Sequence, residues 1–221
     1  IGGREINQKD VRRIQAQDPD LLERVTRGGT ELVRFEYDRL GSPTAHYTPR
    51  EDRDTQRLDY PQRDEDVGVI VVNAHVDLLG RRYEHHYVDS RSDAQGQGWL
   101  GFARPLVHDV SGGTITERRF DVTTHVEGVG FPFANVPYRE TVFTPLDDPK
   151  EPSAWHVSLQ ESVPDLRELD TDGESIPTRV VRVVRSTHRL FDDLQLPEME
   201  GWSAEHLLKL GPHAFDHWFE G

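Results

Sequence analysis

Between Glu31 and Asp38 apolar and charged residues alternate. In an extended chain this puts Val33, Phe35 and Tyr37 on one side and Arg34 and Glu36 on the other, the mark of a half-buried strand. Leu21–Arg27 precedes this run across Gly28-Gly29, and two strand-like runs joined by two glycines predict a hairpin. Within Val67–Leu79, the run Val69-Ile70-Val71-Val72 is apolar and β-branched, which predicts a strand buried on both faces. Gly80 then turns the chain into Arg81–Asp89, where Tyr83, His85 and Tyr87 share a side. A further strand runs to about Val110, and Ser111-Gly112-Gly113 turns it into Thr114–Thr124 as a second hairpin. Val136–Thr144, Ala154–Glu161 and the β-branched Thr178–Phe191 are the remaining predicted strands. Hairpins without βαβ spacing predict an all-β class.

The stretch Gln95–Phe102 reads Gln-Gly-Gln-Gly-Trp-Leu-Gly-Phe. Glycines between rings suit a bulge or tight turn entering a strand. A phosphate-cradling loop would need a helix next, whereas Ala103–Val110 is strand-like and contains Pro105. Gly128–Phe133 is a second glycine-aromatic turn. Gly41–Asp66 is rich in Pro, Asp and Arg and predicts a long exposed loop, with Tyr47 and Tyr60 as anchors of its ends. Glu161–Ile176 is acidic and loop-like. Helical signals are confined to Gln8–Gln17 and to the end of the chain, where Ser203 caps a short helix through Leu210, stopped by Gly211. Pro212 starts a further turn with Phe215, Trp218 and Phe219.

Composition narrows the functions on offer. The net charge of −14 opposes a phosphate backbone, so nucleic acid is not an expected partner. No apolar stretch approaches the length of a membrane-spanning helix. The absence of cysteine removes disulfides, thiolate metal sites and thiol catalysis. A hydrophobic share of 34% predicts either a thin core or one completed by further chain, and the start at Ile1 reads as a processed or excised segment.

Several groups invite chemistry. His75 and Asp77 share a strand face, and His85 comes opposite them across a hairpin, with His86 and Asp89 nearby. Zinc takes such ligands when three or four converge. The alternative is that these are strand-surface histidines. His213 and His217 stand four apart, but Ala214 follows His213 where a metalloprotease helix needs glutamate. Asp170-Thr171-Asp172-Gly173-Glu174 hints at a calcium loop and lacks its distal ligands. No Gly-x-Ser-x-Gly elbow occurs. Trp99 or Trp155 would serve as a platform in a carbohydrate-binding or adhesion domain.

Asp20-Leu21-Leu22-Glu23-Arg24-Val25 precedes a Tyr-Asp element, Phe35-Glu36-Tyr37-Asp38-Arg39-Leu40-Gly41. Tyr60-Pro61-Gln62-Arg63-Asp64 comes next, followed by Gly96-Gln97-Gly98-Trp99-Leu100-Gly101-Phe102, Thr114–Phe120 and Phe131-Pro132-Phe133. In this order, from about Asp20 to Thr144, the motifs resemble the Rhs/YD-repeat toxin family. The resemblance is to the region shared by the B component of Tc insecticidal toxin complexes and plasmid-virulence toxin proteins. A second YD-like copy lies at His188–Pro197, with Phe191 in place of the tyrosine and Gln195 in place of the glycine.

The resemblance implies antiparallel hairpins forming part of an open, curved YD-repeat-like sheet; the short C-terminal helical segment is read from the residues alone and matches nothing in the family. It also implies a secreted, non-catalytic wall around a toxic C-terminal polypeptide. Its partners would be the remaining repeats and cargo of the parent chain and other toxin-complex subunits, with no cofactor. Tyr37, Asp38, Gly41, Tyr60, Pro61, Gly96, Gly98, Trp99, Gly101 and Phe102 would then be structural. The expected partition is a polar segment 1–19, a toxin-like β region 20–146, an acidic loop with further strands 147–200, and a helical tail 201–221. The rival function is a metal-dependent hydrolase using His75, Asp77 and His85.

Overall fold

The computed structural model describes residues 21–42, 46–65, 68–146, 154–169 and 178–195. They form one large open antiparallel sheet, with no helix among the described residues. Its strands are β1 (Arg24–Arg27), β2 (Thr30–Arg39), β3 (Tyr47–Thr48), β4 (Gln62–Asp64), β5 (Ile70–Asp77) and β6 (Arg82–Asp93). They continue with β7 (Gly98–Asp109), β8 (Ile115–Phe120), β9 (Pro137–Pro145), β10 (Ala154–Leu169) and β11 (Thr178–Gln195). The spatial order is β1-β2-β5-β6-β7-β8-β9-β10-β11, so the strands pair as a meander in chain order. Only β3 and β4 leave that path, and both lie along β6. The sheet runs on across residue 146, because β9 pairs with β10. The helical signals at Gln8–Gln17 and Ser203–Leu210, the pair His213 and His217, and Asp170–Glu174 lie outside the described residues.

The predicted hairpins form at Gly28-Gly29 and at Ser111–Gly113. Among its described residues the segment 41–66 is largely exposed, as its composition predicts, but it is not all loop. Strand β5 pairs with β6 only as far as Ala74 opposite Glu84. Beyond that point the same side of β6 needs other partners for its backbone groups. Strands β3 and β4 supply them, with Tyr47 beside Tyr87 in parallel and Gln62–Asp64 beside Arg91–Asp93 in antiparallel register. Arg50, largely buried, organises the span between them. It donates to Asp52 at 2.5 Å, to the Gln56 carbonyl at 2.6 Å and to Asp64 at 3.3 Å. Tyr47 anchors one end, its ring 6.5 Å from that of Phe102. Tyr60 is 74% exposed and anchors nothing; it precedes the cis bond to Pro61.

Two further expectations need correction. Of Val69–Val72 only Val71 is buried, packed with Leu40 and Phe102, because the described residues form one sheet with no second sheet to cover both of its faces. The acidic run after Glu161 is not loop at its start. It continues β10 to Leu169 because β11 pairs with it residue by residue, and Arg182 and Arg179 face Asp165 and Glu168 at 3.3 and 3.6 Å.

Register lines the core up in rows. His108, Ile115, Phe143 and Val157 stand opposite one another across β7 to β10, and Leu106, Glu117, Thr141 and Leu159 form the adjacent row. Ile115, Phe143, Val157, Leu106 and Leu159 are buried. So are Glu117 and the arginines that flank it, Arg104 on β7 and Arg119 on β8. A smaller cluster joins Leu100, Val122, Phe131 and Ala134.

The two glycine-aromatic turns dock on each other at that cluster. Gln97 accepts a hydrogen bond from the Phe131 N–H at 2.8 Å and donates its amide to the Phe131 carbonyl at 3.2 Å. On its own side the first turn is held by Asp93, whose carboxylate accepts from the N–H groups of Gln95 and Gln97, both at 2.9 Å.

Candidate functional site

The motif rings Tyr37, Trp99 and Phe102 belong to one ladder of rings spanning β2, β5, β6 and β7, and Tyr60 stands outside it. Centroid distances run Tyr37–Phe35 6.3 Å, Phe35–His75 6.2 Å, His75–Tyr83 4.7 Å and His75–His85 5.1 Å. The ladder continues His85–Tyr87 6.4 Å, Tyr87–Phe102 4.3 Å and Phe102–Trp99 5.3 Å, the last pair edge to face. Alternation builds most of it, since His75 stands opposite both Phe35 and Tyr83 in the pairing. Hydroxyls fix its tyrosines: Tyr37 donates to the Leu22 carbonyl at 2.8 Å and Tyr87 to the Val72 carbonyl at 2.7 Å.

The turn residues around the ladder each have a local task. Asp38 accepts from the Arg39 N–H at 2.7 Å. Gly41 follows with φ 87°, and the Ser42 N–H closes onto the Arg39 carbonyl at 2.9 Å. Positive φ at the third residue is what a type II turn requires. Gly101 has φ 94° where the pairing slips, with Arg91 opposite Gly101 but Ser92 opposite Trp99. That leaves Leu100 as the extra residue of a β-bulge and aims it into the Val122–Phe131 cluster. Gly96 and Gly98, at φ 129° and 78°, shape the turn before it. Trp99 is half exposed and donates its indole N–H to Ser90 at 3.1 Å. Trp155 is buried and presents no platform.

The predicted histidine group comes together only in part. His75 Nδ1 and His85 Nε2 are 2.8 Å apart, one donating to the other. Burial, reinforced by His75, pushes His85 down to about 4. Asp77 is committed to the β5–β6 turn, accepting from the Leu79 and Arg81 N–H groups at 2.8 and 3.0 Å and from the Arg81 guanidinium at 2.7 Å. The pair is therefore a neutral two-histidine contact within the ring ladder, with no carboxylate aimed at it by Asp77.

A different trio converges on the opposite face of β6. Ligand atoms of His46, Glu84 and His86 lie within 4.8 Å of one another. The rings of His46 and His86 stack at 4.2 Å, 7° from parallel. His46 Nδ1 and His86 Nε2 are both buried without a hydrogen-bond partner. Burial, with smaller contributions from His46, His108 and His85, pushes His86 down to about 3. Burial also lowers His108, against the pull of Glu84 and Asp109. Sequence reading missed His46 and Glu84. The signal that was available is the dipeptide His85-His86: neighbours in a strand point to opposite faces, so the two cannot serve one site.

Comparison with protein-family models, curated proteins and solved structures finds no match.

Proposed function

We propose that the chain is a non-catalytic wall segment of a secreted Rhs/Tc-type toxin, with a curved, YD-repeat-like sheet that encloses a toxic C-terminal polypeptide. Its partners are neighbouring repeats and cargo of the parent chain and other subunits of the toxin complex. The observation that carries this reading is the meander, which adds strands in chain order and ends at an 18-residue strand, β11, with no partner on its outer side among the described residues. A sheet built this way grows by one hairpin at a time, and each unit relies on its neighbours. Residues 182–190 are all exposed, on either side of a bulge at Val184. That stretch of the strand is bare on both faces, and the strand's outer edge has no partner among the described residues. Tyr37, Trp99 and Phe102 in the ring ladder, Gly41 in its turn and Gly101 at the bulge support this reading, whereas Tyr60 makes no such contact.

An uncovered strand edge offers N–H and C=O groups to another chain. The net charge of −14 holds copies apart, and salt screens that repulsion over roughly 10 Å at 0.1 M. The isolated chain is expected to form dimers or larger species as ionic strength rises, read by light scattering across a salt series. A monomer at every salt concentration removes the physical basis of the wall reading. Enclosure itself is tested in the parent protein, where protease should spare a C-terminal polypeptide until the shell is unfolded. A polypeptide cut at once in the folded protein would overturn it.

A further inference from the structure

We propose that His46, Glu84 and His86 form a binding site for a divalent transition metal ion of the zinc class, which ties the β3 segment to β6. The backbone builds the site. Parallel pairing sets Tyr47 beside Tyr87, and the Tyr87 N–H donates to the His46 carbonyl at 2.8 Å, so His46 comes alongside His86. Glu84 lies two residues before His86 and shares its face. Two imidazoles and one carboxylate are a donor set that zinc takes, with a fourth position left for water.

Two observations point to a ligand and not to a chance cluster. Buried ring nitrogens are ordinarily satisfied, but His46 Nδ1 and His86 Nε2 have no partner. The ligand atoms of the two rings and of the Glu84 carboxylate all lie within 4.8 Å of one another. Ligand atoms on a tetrahedral zinc stand about 3.4 Å apart, from bonds near 2.05 Å. The trio therefore closes from 4.8 Å by up to about 1.4 Å, and the parallel ring stack opens so that both rings can reach one ion. Glu84 is able to turn. It accepts from Arg82 at 3.3 Å, and Arg82 keeps its two shorter bonds to Glu36, at 2.7 and 2.9 Å.

The test is calorimetric titration of zinc chloride into the full chelator-treated chain, at pH 7.5, with cobalt(II) as a spectroscopic substitute. The expected result is equimolar binding with a dissociation constant in the micromolar range or tighter. The thermal midpoint should rise by about 5 °C at saturating metal, and a ligand-field spectrum should appear in the visible. His46→Ala and His86→Ala should each weaken binding at least about ten-fold, while His75→Ala leaves it unchanged. His46 lies outside the long strands, so its variant is expected to fold; circular dichroism checks this, and His46→Gln supplies a second arm. Failure to bind zinc, undiminished binding in both His46 variants, or loss of binding in His75→Ala would each overturn the proposal.

Discussion

Replacing Glu117 with alanine is expected to destabilise the protein by about 3–5 kcal/mol, the range for removing one partner of a buried ion pair. Glu117 on β8 is 2% exposed. One carboxylate oxygen accepts from Arg104 at 2.7 and 2.8 Å, and the other from Arg119 at 2.5 Å. Arg104 and Arg119 are themselves 3% and 5% exposed. Removing the carboxylate leaves two guanidinium groups close together in a low-dielectric setting. That costs far more than the hydrogen bonds alone. Glu117→Gln keeps the shape and part of the bonding but removes the charge, so it should fall between wild type and Glu117→Ala. Replacing all three residues with apolar side chains of similar volume should recover much of the loss, because desolvation offsets most of the net gain from a buried triad. Urea unfolding midpoints read all three. A Glu117→Ala variant within about 0.5 kcal/mol of wild type, the usual size of a surface substitution, would show that water reaches the triad.

Why this triad escaped sequence reading is instructive. Alternation in Ile115–Phe120 shows which residues share a face but not that Glu117 and Arg119 take the closed one. Two charges on the inner side of a strand look like its outer side. Only the partner strand, bringing Arg104, reveals the pairing. By contrast Val33, Phe35 and Tyr37 are legible because their pattern is local, and so are the two glycine-turn hairpins. The ring ladder was half legible: Tyr83, His85 and Tyr87 share a face by spacing, but their meeting with Phe35, His75 and Phe102 depends on register. The segment 46–65 was the opposite case. Its short strands have almost no periodicity of their own and exist because β6 outruns β5. For the same reason His46 could not be assigned to a site. Its position follows from a parallel pairing between residues forty apart. The bulge at Leu100 was visible as glycine punctuation, although its purpose, the delivery of Leu100 to Phe131, was not.

In the presence of chelator, the protein is expected to lose about 2 kcal/mol of stability between pH 7 and pH 5, through His85 and His86. The sign follows from where protons bind. In the folded chain these rings sit at about 4 and about 3, below the ordinary value of 6.5. Between those limits the unfolded chain holds the extra protons, so acid favours unfolding. The contribution is fully present above about 6.5 and drains away as the pH falls towards the folded values. Two undamped shifts would give about 3.7 kcal/mol by pH 5; partial solvent access and opening of the rings reduce this by roughly half. The groups around His86 all act in the same sense or are too few to reverse it: His46 and His108 repel a proton there, and Glu84 already accepts from Arg82. Around His85 stand His75 and Tyr83, with Asp77 held by Arg81. The lowered carboxylates Glu36, Asp77, Asp93 and Asp121 titrate below this window, and His75 and His108, lowered by burial, add to the loss in the same sense. Urea midpoints at pH 7, 6 and 5 measure the slope. In the double variant His85→Gln, His86→Gln the slope should flatten by more than half. An unchanged slope would mean that the two rings take up protons in the folded chain as readily as in the unfolded one, and that the face of β6 holding His86 is open to water.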